Sequence, residues 1–214
     1  MSRPSVTQHE DPRKEPAQAG HDRARLDDRR AVRQSGPAGG DDEQSGILVG
    51  IRVHRTIVSV LTQGLEPAGA SRTMQILAAA REIAGELPKG ARGRAFITDV
   101  ASCAASYLLR FAPPPPWVFR GAEVALGGGR ADLVFEHLPS GRWVVDEVKT
   151  EVERHGDVRH HDQVRRYLEA GTELWGDHFV GVRLCMISRP RSSYIYRPGR
   201  VRPSPLLPDW DEEG

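Results

Sequence analysis

Cysteine, lysine and net charge are all scarce in this sequence. Its two cysteines, Cys103 and Cys185, form no CxxC pair and fall short of the four thiolates of a structural zinc or common iron-sulfur site, so reduced, buried thiols are expected. Long apolar runs are missing too. Arg52, Arg55 and Asp99 interrupt the nearest candidates for a membrane span, and no membrane association is expected. The opening MSRPSVTQHEDPRK has no apolar segment of the secretory kind, which makes a cytoplasmic location the expectation. The net charge of +1, from 30 basic and 29 acidic residues, argues neither for a nucleic-acid partner nor against a local basic patch. Only Lys14, Lys89 and Lys149 are lysines. Arginine supplies the rest of the positive charge, so a lysine inside a strand is conspicuous.

A chain of 214 residues suits one domain with tails. Residues 1–45 are polar, charge-mixed and broken by proline and glycine, and are expected to be a disordered tail; 46–188 are expected to form the domain. Helical spacing of Ile47, Ile51, Val53, Ile57, Val58 and Leu61 predicts a first helix, stopped by Gly64 and Pro67. A second is expected from a Ser71 cap to Pro88 and Gly90, and a third over 95–111, ahead of the tract Pro113 to Pro116. The pattern then changes to short apolar or alternating runs, WVFRGAEVAL, RADLVFEHL and RWVVDEVK, which read as three neighbouring strands. Helical spacing returns from Asp157 to Gly171, followed by the apolar strand FVGVRLCMIS at the centre of a sheet. Residues 189–214 are expected to add at most an edge strand, SSYIYR, before a proline-rich acidic tail leaves the sheet. The expected class is α/β, a central mixed sheet with helices on both faces.

The chemistry concentrates in the second and third of those strands. Strand side chains alternate, so Glu147 and Lys149 share one face while Asp146 and Val148 point to the other. Charges inside sheet-forming sequence need each other or a ligand, because an unpaired charge removed from water is costly. If the hairpin brings Asp132 beside them, two carboxylates and one amine surround a small volume. Two like charges at close range favour a divalent cation, and magnesium is the oxygen-seeking ion of phosphate chemistry. Asp132 and Glu147 would be its ligands, with the Val148 carbonyl as an extra one. Lys149 would orient or deprotonate an attacking water and offset charge on the phosphoryl oxygens. The bland alternative is a structural protein in which Glu147 and Lys149 pair with each other and Asp132 faces solvent.

Four partial motifs stand in order along the chain: Gly50-Ile-Arg-Val-His54, Gly129-Arg-Ala-Asp132, Glu147-Val-Lys149 and Gln163-Val-Arg-Arg-Tyr167. In this the sequence resembles the PD-(D/E)xK nuclease superfamily, and more closely its RecB-type nuclease module, over roughly Gly50 to Ser188. The resemblance implies a restriction-endonuclease-like core and a magnesium-dependent DNA nuclease, with manganese as a substitute ion. It implies His54 as a further metal ligand or neighbour of one, and Gln163 and Tyr167 as residues that organise the site or the DNA beside Asp132, Glu147 and Lys149. Exonuclease and endonuclease action share this chemistry. Relatives that fasten an iron-sulfur cluster use four cysteines, so no cluster is expected here. The absence of a G-x-x-x-x-G-K-[S/T] loop means that unwinding would come from a helicase or other partner polypeptide. The rival expectation is a catalytically idle nucleic-acid-binding or complex-assembly module with the same fold. His155, His160 and His161 near Asp157 and Asp162 match no strong metal motif.

Overall fold

The computed structural model describes residues 40–66, 69–85, 94–150 and 158–206. Three helices come first, α1 (Gly40–Gln63), α2 (Ala70–Gly85) and α3 (Arg94–Arg110). Strands β1 (Trp117–Leu126), β2 (Gly129–His137) and β3 (Arg142–Lys149) follow. Helix α4 (Val158–Trp175) then leads to β4 (Phe179–Met186) and the short β5 (Tyr194–Tyr196) and β6 (Ser204–Pro205). All six strands form one sheet in the order β1-β2-β3-β4-β5-β6. Only the β3–β4 pair is parallel, the others being antiparallel. A parallel pair needs a long crossover, and α4 lies within it.

The sheet divides the apolar residues between two cores. Val53 and Ile57 of α1, Ile76 and Ala80 of α2 and Val100 and Leu108 of α3 pack on one face, against Leu133, Phe135, Val144 and Val148. On the other, Val164 and Tyr167 of α4 pack against Val134, Val145, Val182 and Leu184. Each buried aliphatic side chain contributes about 1.5–3 kcal/mol. The alternation of β3 between the two cores is what an apolar strand covered on both faces requires.

Three expectations are corrected at element ends. Of the expected tail 1–45, residues 1–39 lie outside the described ones, but α1 begins at Gly40, ahead of its first apolar residue, Ile47. Apolar periodicity marks only the buried stretch of a helix, and helical backbone continues beyond it. Ser71 is not the cap of α2: the helix starts at Ala70, and the Thr73 N–H and hydroxyl both donate to the Gly69 carbonyl. Pro88 and Gly90, its expected stop, lie outside the described residues. Finally, β5 is not the edge, because Ser204 and Pro205 pair with it as β6. Proline tolerates an edge, where it withholds no inward N–H. The Leu206 N–H then donates to the Ser193 carbonyl at 2.7 Å, and its buried side chain joins the same core as Ile195. The fold therefore runs past residue 188.

Candidate active site

The site forms where the β2–β3 ladder opens. Their register runs from His137↔Arg142 to Leu133↔Asp146 and stops there, although β2 starts at Gly129 and β3 runs on to Lys149. Beyond that rung the Val148 N–H donates to Asp132 Oδ2 at 2.7 Å, so a side chain takes the place of a strand partner. The neighbouring β1–β2 pair is irregular at the same level. Residues two apart in a strand should share a face. Yet Ala122 packs with one core and Val124 with the other, while Leu133 and Ala131 divide in the same way. Between the pairs Ala122↔Leu133 and Val124↔Ala131 stand Glu123 and Asp132. Glu123 has φ 52°, the one positive value at a residue other than glycine among the described residues.

His54 reaches this opening from α1. Its Nε2–H donates to the Val148 carbonyl at 3.0 Å, which places the proton on that nitrogen, and Nδ1 lies 3.4 Å from Asp132 Oδ1. A carbonyl has two lone pairs, so the Val148 oxygen keeps one for an ion. Burial lowers the His54 pKa, but the hydrogen bond and charge of Asp132, with the Val148 carbonyl and the Glu147 charge, outweigh it and leave it raised. Gly50 allows α1 this close approach, since a Cβ there would lie 3.2 Å from Thr150 Oγ1 just beyond β3.

On the α4 side the contacts run in series. Lys149 Nζ donates to Glu147 Oε1 at 2.5 Å and to Gln163 Oε1 at 3.4 Å. Gln163 Nε2 donates to the Tyr167 hydroxyl at 2.9 Å, and that hydroxyl donates to the Arg130 carbonyl at 2.5 Å. Gln163 and Tyr167 are an i, i+4 pair, which a helix presents on one face. Gly129 leaves room for the phenol: a Cβ there would sit 2.9 Å from the Tyr167 oxygen. Burial raises the Tyr167 pKa, with the Gln163 bond opposing.

Glu147 is 1 % exposed, and its Oε2 has no hydrogen-bond partner. Burial and then the Asp132 charge push its pKa up to about 7, against the lowering pull of Lys149. A buried carboxylate oxygen left unsatisfied costs about 1–3 kcal/mol or more. The carboxylates of Asp132 and Glu147 and the Val148 carbonyl are oxygen donors, the kind that hard divalent cations take.

Asp146, on the opposite face of β3, is saturated instead. It accepts from Arg183 Nε at 2.6 Å, from Arg183 Nη2 at 2.5 Å and from the Tyr107 hydroxyl at 2.5 Å, all fully buried.

All four motif segments thus meet in one place, and Asp132 faces His54 and β3 rather than solvent. On the exposed side of α4, Arg165 pairs with Asp162 at 3.5 Å. His161 Nδ1 lies 3.0 Å from the Tyr196 hydroxyl, and His155 and Asp157 are outside the described residues. Glu123 is the residue that sequence reasoning missed. His54, Glu123 and Asp132 each offer a ligand atom, all within 4.8 Å of one another. Gly121 inside a strand run signals the nearby β-bulge, between Phe119 and Gly121, but not where the Glu123 carboxylate points. No protein-family model, curated protein or solved structure matches the chain. No helix among the described residues is long and apolar enough to cross a membrane.

Proposed function

We propose that the chain is a metal-dependent phosphodiesterase. Within that class it is read as a magnesium-dependent DNA nuclease of the PD-(D/E)xK superfamily with a restriction-endonuclease-like core, acting in the cytoplasm in repair, recombination or mobile-element processing. One observation carries the reading: a buried, partnerless carboxylate oxygen on Glu147 within the field of Asp132, with an ammonium on the same strand face. Asp132 and Glu147 would hold magnesium, or manganese in its place, with His54 and the Val148 carbonyl beside it. When bound, that ion supplies Lewis-acid polarisation of the phosphate and acidifies a water.

The chain's own groups do the positioning. Lys149, steered by Glu147 and Gln163, orients the attacking water and offsets the negative charge that grows on the phosphoryl oxygens. Tyr167 fixes Gln163 against the Arg130 backbone and so sets where the ammonium sits. The purely structural alternative needs Asp132 in solvent, whereas its carboxylate accepts from the Val148 N–H.

Digestion of linear, circular, single-stranded and duplex DNA with magnesium tests the proposal. Cleavage by the wild type, lost on chelation and in Lys149→Ala, is expected. Specific DNA binding with no cleavage under several divalent ions would make the chain an idle binding module, and undiminished cleavage by a folded Lys149→Ala would remove the role given to that lysine.

A further inference from the structure

We propose that the segment from Ile187 to Leu206 is a binding track for single-stranded DNA, which leads one unpaired strand across β5 to the carboxylate site. The inference deepens the nuclease reading by naming its substrate class, and it rests on that reading for what happens at the site.

Charge is unevenly spread along this chain. Residues 187–208 contain five arginines and no acid, although the whole chain carries only +1. A phosphate backbone is the polyanion that such a segment attracts. Four of the five arginines belong to two tight turns, closed by the Ser192 N–H on the Arg189 carbonyl at 2.8 Å and by the Arg200 N–H on the Arg197 carbonyl at 3.2 Å. Proline is second in both turns, and Gly199 takes φ 71° in the later one, as that turn requires. Stiff turns lower the cost of ordering the arginines they carry. Arg191, Arg200 and Arg202 are exposed.

Between the turns runs β5. Tyr194 and Tyr196 share one of its faces, each half-buried, while Ile195 enters the opposite core. His161 of α4 meets the Tyr196 ring edge-on, with centroids 6.0 Å apart, and so holds it in place. Tyrosine rings with guanidinium groups at both ends of their strand make a platform for an unpaired nucleic-acid strand: bases stack on the rings and phosphates follow the arginines. A duplex keeps its bases paired and leaves the rings nothing to stack on.

Strand register ties this platform to the site. Lys149 pairs with Met186, and Tyr194 pairs with Leu184 two residues earlier on β4, so all four side chains lie on the α4 face. Tyr194 is two strand spacings from β3, about 10 Å across the sheet. At the far end Glu169 and Glu173 of α4 line a groove with Pro198 and Gly199. Two acids there stand against Arg197, Arg200 and Arg202, so positive charge persists and the acids mark the limit of the track.

Fluorescence anisotropy on the full chain tests the track, with a short labelled oligothymidine and a duplex of equal length, in chelator so that nothing is cut. The wild type is compared with Tyr194→Leu, Tyr194→Phe and the triple variant Arg191→Gln, Arg200→Gln, Arg202→Gln, with circular dichroism as the check on folding. The wild type should bind the single strand about tenfold or more tighter than the duplex. Tyr194→Leu should weaken that binding about tenfold and Tyr194→Phe should restore it. The triple variant should lower the slope of log affinity against log salt by about 2. Single-strand affinity unchanged in Tyr194→Leu and in the triple variant, or a wild type that prefers the duplex, overturns the track. Polyglutamate competing as well as unlabelled oligothymidine also overturns it, in favour of an acidic protein surface. Magnesium is then added: cleavage by a wild type without the track leaves the nuclease reading standing, whereas strand binding through the track with no cleavage under any divalent ion removes that reading alone. Neither binding nor cleavage overturns both.

Discussion

Asp146 and Glu147 are adjacent acids on one strand, and the two faces of β3 treat them in opposite ways. On the α3 side Asp146 receives a two-pronged guanidinium and a phenol, and every group involved is sealed from water. On the α4 side Glu147 has one oxygen on Lys149 and one on nothing. Burial is similar, so burial does not separate scaffold from chemistry. What separates them is satisfaction. A buried carboxylate with both oxygens taken by guanidinium and phenol donors has no capacity left for a ligand, whereas a carboxylate held half-satisfied beside a second negative charge is an acceptor in search of a cation.

The largest effect should come from the satisfied face. Asp146→Ala strips Arg183 of its carboxylate and should cost about 3–5 kcal/mol in urea unfolding. Glu147→Gln in the same assay should cost nothing; the reverse ranking would break the comparison. Next, Glu147→Gln should lower magnesium-dependent cleavage on the order of 10²–10³-fold in single-turnover kinetics, and an unchanged rate would leave Glu147 without its role.

A pH series sharpens the contrast further. Burial and the Asp132 charge raise Glu147 from 4.5 to about 7, so in ion-free protein the unfolded chain gives up its proton first. Stability should therefore fall as pH rises from about 4.5 to about 7, by on the order of 3 kcal/mol, and level off above. Thermal unfolding across that window should show the decline, magnesium should reverse it above pH 7, and Glu147→Gln should flatten it. The smallest effect is expected at Gln163→Ala, which frees Lys149 on one side only. Cleavage should drop about tenfold, or ~1.4 kcal/mol, while calorimetry shows ion binding unchanged.

Much of this architecture was legible along the chain. The spans read for the first three strands coincide with β1 to β3 within a residue, because alternation and the glycine and proline breaks that bound it are local signals. The shared face of Glu147 and Lys149 followed from strand parity alone, and that of Gln163 and Tyr167 on α4 from their i, i+4 spacing. Other features had no local signal. Arg183 lies in a strand far from Asp146 in sequence, and only the parallel β3–β4 pairing, Asp146↔Arg183, puts them side by side. The pairing of Ser204 with Ile195 was obscured by the prolines around it. Glu123 sits in a run that reads as an ordinary strand, and the reversal of its face appears only once β1 and β2 are paired.

Side-chain parity, helix spacing and the order of the motifs were determined by the sequence by itself, since each depends on the geometry of neighbouring residues. Tertiary structure alone decided where the β2–β3 ladder stops, which acid is neutralised by Arg183, and that Glu123 joins His54 and Asp132. The reason is physical: a strand's period assigns its side chains to two faces, but which charges meet across a rung depends on register and on the hydrogen bonds a neighbouring strand leaves unmade.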